Sequence, residues 1–97
     1  YALARNRPAI EPHLARLGRA LGLAAPGFDG VLDWILDLRR ALGIPKGIAA
    51  LGVAEEHMGT LARRAAADPS AASNPLPFGQ AEYALLLRDA LATRLAI

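Results

Sequence analysis

Leu14, Leu17 and Leu21 stand three and four residues apart, with Ala, Arg and Gly filling the positions between them. That spacing puts the leucines on one stripe of an α-helix. The stripe predicts a first helix from about Pro12 to a left-handed stop at Gly22. "YALARNR", residues 1–7, reads as a lead-in, with Pro8 and Pro12 marking the helix start. A first-turn proline is tolerated because the amide it lacks would be unpaired there in any case. After the loop "AAPGFDG", with Pro26, Gly27 and Gly30 as breakers, Asp29 is placed to cap a second helix. Val31, Ile35, Leu38 and Leu42 step along that helix by four, three and four, and Trp34 widens the stripe. Gly43 ends it and Pro45 prevents its resuming.

The second half repeats the helical period. One short turn fits between Lys46 and Leu51, broken by Gly52–Val53. A third helix is expected from about Ala54 to Ala67, with Met58, Leu61, Ala62 and Ala65 inward. Glu55 and Glu56 suit the positive end of its dipole, and Arg63 and Arg64 the negative end. "DPSAASNPLPFG" places three prolines within nine residues and reads as irregular. A last helix should run from about Gln80 to Leu95, with Gly79 and Glu82 as a partial capping box. Tyr83, Leu86, Leu87, Ala90, Leu91 and Arg94 share its broad face. The expected fold is all-α, a compact bundle of about four helices with a proline-rich loop before the last. Residues 1–97 read as a single helical domain. No internal repeat and no strand–glycine–helix unit of a nucleotide fold is visible.

Composition adds one pointer. Hydrophobic residues make up 54% of the chain and aromatics only 5%. The low aromatic content favours helix, and the apolar surplus suggests that a further face is covered by another domain or by a second copy in a homodimer. Net charge is +2, and Arg39–Arg40 and Arg63–Arg64 are pairs rather than a basic run. Nucleic-acid binding is therefore disfavoured. With no cysteine there is no disulfide or thiolate chemistry. That suits a reducing cytoplasm, the expected location. No apolar run reaches the ~20 residues of a membrane span, and no signal peptide is visible. The chain begins at Tyr1 without Met, so the expectation is either a lost start or a piece of something larger.

Candidate chemistry is sparse. His13 and His57 fall on different helices without metal-ligand spacing. Asp33 and Asp37 share a helix face but are flanked by Arg39 and Arg40, a solvated pattern. Ser70 and Ser73 lie in the proline-rich loop without the glycine elbow of a serine nucleophile. Ser73 and Asn74 are placed to satisfy backbone groups ahead of Pro75. No catalytic, cofactor-binding or metal residue is assigned.

The order of motifs carries more. "LGIPKGIAALGVAEEHM", "ADPSAASNPLP" and "AEYALLLRDAL" together resemble the C-terminal end of the iron-containing (group III) alcohol dehydrogenases. That region has a Gly-Ile-Pro break, a short turn, Leu-Gly-Val, an acidic helix start, an Asn-Pro loop and a final helix. "YALARNRPAIEPHLARLGRALGL" resembles the segment after the family's last metal-binding histidine, although Arg5 and Asn6 abut with no Phe between them.

The resemblance implies a parent with an N-terminal nucleotide-binding domain, the partner of this helical part in the same chain. It implies NAD(P) and a divalent metal, typically iron, in the cleft between them. The family's ligands, an Asp and three His, precede this region, and none maps onto His13 or His57. The parent would transfer hydride reversibly between a small alcohol or aldehyde and the nicotinamide, the metal polarising the alcohol oxygen. These 97 residues would be inactive alone, supplying wall and scaffold. Ser70, Ser73 and Asn74 match a family loop near the substrate cleft and are assigned a cleft-lining role. Some members carry Cys where Ser70 stands, and many a basic residue where Leu76 stands. A maleylacetate reductase of the same superfamily is the near alternative, and a free-standing helical interaction module the distant one.

Overall fold

The computed structural model describes residues 1–95, and all regular structure among them is helical. The four α-helices are α1 (Ala2–Ala20), α2 (Phe28–Ala41), α3 (Met58–Ala67) and α4 (Gln80–Ala92). Short 3₁₀ turns cover Ile48–Leu51, Glu55–His57 and Pro69–Ser73. The all-helical expectation holds. Among the described residues no helix is long and apolar enough to cross a membrane.

Close contacts group these residues into two compact units. One joins residues 1–5 to the described residues from Lys46 onward, and the other comprises residues 6–45. In the first unit α3 packs on α4, and Ala4, Met58, Ala62 and Ala90 are buried. Met58 and Ala62 are two of the four residues the period placed inward; Leu61 and Ala65 are half-buried. In the second unit Phe28, Val31 and Leu32 form the buried apolar centre, and Asn6 is buried as well.

Several expectations need correction. The first helix starts at Ala2, ten residues before Pro12, so Pro8 and Pro12 lie inside it. Each interior proline removes one helical hydrogen bond and costs about 3 kcal/mol in an isolated helix. Tertiary contacts of the N-terminal turns offset that cost. Arg5 pairs with Asp89, and the Tyr1 hydroxyl donates to the Lys46 carbonyl at 2.6 Å. Arg7 donates to Asp29 at 2.9 Å and to Glu11 at 2.9 Å, and its guanidinium lies 4.5 Å from the centre of the Phe28 ring. Glu11, and then Asp29, hold that guanidinium above the usual arginine range.

Asp29 is therefore not a cap. It lies in the first turn of α2, where Gly27 is the N-cap with no side-chain bond. Gly30, read as a loop breaker, is helical. The proline-rich loop is also less irregular than expected, because Pro69 begins a 3₁₀ turn. The last helix stops at Ala92 rather than Leu95. The α2 stripe is only partly covered: Val31 is buried, but Leu38 and Leu42 are 44% and 65% exposed. Leu17, Leu21 and Trp34 are exposed as well.

The glycine stops are where the sequence placed them. Gly22 and Gly43 both have φ of +68°, a conformation that an L side chain resists. At each, the next residue donates five positions back: Leu23 to Gly18 and Ile44 to Arg39, both at 3.0 Å. The glycine amides donate three back, to Arg19 and Arg40, completing two Schellman motifs.

Candidate functional site

The Asp68–Asn74 segment begins where α3 ends. Asp68 leaves the helix with extended backbone, and its Oδ1 accepts the Ser70 amide at 2.7 Å. Pro69 occupies the first turn position, where its missing amide costs nothing. The Ala71 amide donates to the Asp68 carbonyl at 2.9 Å, and the Asn74 amide to the Ala71 carbonyl at 3.2 Å. The Ser73 hydroxyl donates to the Ser70 carbonyl at 2.8 Å. Asn74 Nδ2 donates to the Leu76 carbonyl at 2.6 Å. Ser73 and Asn74 thus serve the backbone around them, as their place before Pro75 predicts. No hydrogen bond of the Ser70 hydroxyl is seen among the described residues, so it is the group of the three best placed to meet a ligand.

The turn stands as a ridge between two open depressions. One, of about 540 Å³, is lined by Asp68, Ser70, Ser73, Asn74 and Tyr83. The other, of about 510 Å³, is lined by Pro69, Ala72, Asn74, Pro77 and Phe78. Phe78 meets Tyr83 edge-to-face, with ring centres 5.7 Å apart, which fixes the start of α4 against the loop. The Gly79 amide donates to Glu82 Oε2 at 2.8 Å, the partial capping box expected there. All three candidate residues line the first depression. Sequence reasoning did not assign Asp68 or Tyr83 to it. The Asp-Pro pair was a turn signal that could have pointed to Asp68, whereas Tyr83 was placed only on the broad face of the last helix.

The remaining polar residues do not converge on a reactive constellation. His13 is exposed on α1. Asp37 pairs with Arg40 at 2.7 Å, and Glu55 accepts from Arg88 of α4 at 3.3 Å. His57 Nδ1 accepts the Ala54 amide at 2.9 Å. Among the described residues no three His, Cys, Asp or Glu side chains come together as a set able to hold a metal ion. The donor set of a metal-dependent dehydrogenase does not fit onto these residues. No protein-family model matches this chain, nor does any curated protein or solved structure.

Proposed function

We propose that this chain is the distal part of the helical domain of an iron-containing, NAD(P)-linked alcohol dehydrogenase, and that the Asp68–Asn74 ridge forms part of its substrate cleft. The observation that carries the reading is the ordered run from Leu42 to Leu91: Gly-Ile-Pro break, Leu-Gly-Val, acidic helix start, Asn-Pro loop and final helix. The loop geometry supports it. Ser73 and Asn74 stiffen the turn, and the exposed Ser70 makes no hydroxyl hydrogen bond among the described residues. Such a wall positions a small alcohol by shape and one hydrogen bond, leaving chemistry to groups elsewhere. In this reading the metal and the dinucleotide are held by residues outside this chain, and the nucleotide-binding domain is its partner.

The coding sequence upstream of Tyr1 tests this. A glycine-rich strand–turn–helix unit followed by a spaced Asp and three His supports the proposal. A reading frame that contains little beyond these residues refutes it. Comparing simple alcohols with maleylacetate as substrates of the whole gene product separates the dehydrogenase from the reductase reading.

A second reading, a helical interaction module, draws on the exposed apolar residues of the 6–45 unit: Leu17, Leu21, Trp34, Leu38, Leu42 and Ile44. Several large apolar side chains exposed in so small a unit mark a surface that a partner covers. Sedimentation of the purified chain distinguishes the two. A tight dimer favours the module, and a monomer favours a face that its own parent covers.

A further inference from the structure

We propose that His57 is an acid-sensitive latch on the start of α3: its neutral imidazole holds the Ala54 amide, and protonation releases that amide beside the adjacent cavity. With Ala54 as N-cap, His57 sits at the third helical position. A capping box normally places Glu or Gln there to accept the N-cap amide. Here the acceptor is imidazole Nδ1, 2.9 Å from the Ala54 nitrogen. Nδ1 has a lone pair to offer only when it carries no proton, so the ring's hydrogen is on Nε2. Protonation makes Nδ1 a donor facing a donor, and the two nitrogens must part.

The charged surroundings determine where the ring goes. Glu56 Oε1 lies 3.6 Å from Nε2 and draws an imidazolium toward itself. Glu55 is engaged by Arg88 of α4, and Arg64 of α3 lines the same cavity as His57. The positive end of the helix dipole opposes a cation kept at the cap. The 3₁₀ turn Ile48–Leu51 brings no charge. A protonated ring therefore leaves Ala54 and turns outward toward Glu56. Val53, His57, Thr60, Leu61 and Arg64 are among the residues lining the cavity, which measures about 350 Å³, so the turn of the ring reshapes its wall.

Nuclear magnetic resonance on the ¹⁵N-labelled chain tests this, following imidazole nitrogens and Ala54 amide protection from about pH 8 to about pH 5. At the upper end, His57 should show an unprotonated Nδ1 and a protonated Nε2. With the imidazole protonated, Ala54 protection, corrected for the intrinsic exchange rate, should fall about fivefold, the usual size of a lost cap. His57→Gln should keep the protection throughout, because its amide oxygen caps without titrating, and His57→Ala should lack it throughout. A proton on Nδ1 at the upper end would overturn the proposal. So would Ala54 protection indifferent to His57, a loss that follows His13 instead, or a His57→Gln chain that loses protection just as the natural one does.

Discussion

Three glycines lie inside helices, and alanine at each gives a decisive contrast. In an open helix Gly→Ala stabilises by about 0.8–1.0 kcal/mol. At Gly30 of α2, however, the new Cβ would sit 1.6 Å from the Ala25 carbonyl oxygen, and at Gly18 of α1 it would sit 2.1 Å from the Pro26 carbonyl oxygen. Both obstacles are backbone, which cannot swing aside as a long side chain can. Overpacking of this kind costs about 1–3 kcal/mol or more, and a contact this short belongs at the upper end. The clash outweighs the propensity gain, leaving a net loss of about 2 kcal/mol for Gly30→Ala and somewhat less for Gly18→Ala. For a chain this size that is a fall in Tm of roughly 8–16 °C. Gly59, near the start of α3, has nothing within 4 Å of its virtual Cβ, so Gly59→Ala should gain about 0.5 kcal/mol. Urea melts read the effects. The single Trp, Trp34, belongs to the same unit as Gly18 and Gly30, so its fluorescence follows them, and far-ultraviolet circular dichroism follows Gly59. A Gly30→Ala midpoint equal to or above the natural chain's would refute the close packing of the 25–30 corner.

Thr93 ends α4 with φ of 55°, a conformation costly for a β-branched residue. Thr93→Gly should raise stability by about 1 kcal/mol in the same melts, and a loss would show that its methyl contact over Gly47 matters more. Gly47→Ala should lower stability by about 2 kcal/mol, since its Cβ would fall 2.5 Å from the Ala90 carbonyl oxygen. Asp89→Asn, which strips the charge from the partly buried partner of Arg5, should lower stability by about 2 kcal/mol; a change within error would mean the pair behaves as a surface one. Asp68→Ala removes the cap of the 69–73 turn and should cost about 1 kcal/mol locally, seen as faster proteolysis there, while Ser70→Ala leaves cleavage unchanged.

Local chemistry made the ends of α1, α2 and α3 and the start of α4 readable, although Glu55–His57, expected as the first turn of α3, is a 3₁₀ turn and α3 itself begins at Met58. Gly22, Gly43 and the Gly79–Glu82 pair act through neighbours a few residues away, and a sequence displays those neighbours directly. The start of α1 was hidden because it depends on distant partners. Pro8 and Pro12 argue for a boundary, and distant partners such as Asp89 for Arg5, Asp29 for Arg7 and the Lys46 carbonyl for Tyr1 favour the helix against them. Gly30 was misread for the same reason, since its requirement comes from the carbonyl of Ala25 across a corner. The α2 stripe was legible as a face, but periodicity cannot say how far along a face the covering residues extend. Leu38 and Leu42 lie past that limit. In the candidate site, the backbone-satisfying roles of Ser73 and Asn74 followed from their place before Pro75. That Ser70 and Tyr83 line one depression needed the fold.

The claim that the Asp68–Asn74 ridge lines a cleft whose reactive groups lie elsewhere is tested most directly by steady-state kinetics of the whole gene product carrying Ser70→Phe. On the proposed dehydrogenase reading, the bulky ring should raise KM for the alcohol about tenfold or more, with bound metal per subunit and NAD(P) affinity unchanged. An unaltered KM, or loss of the metal with the substitution, would contradict it.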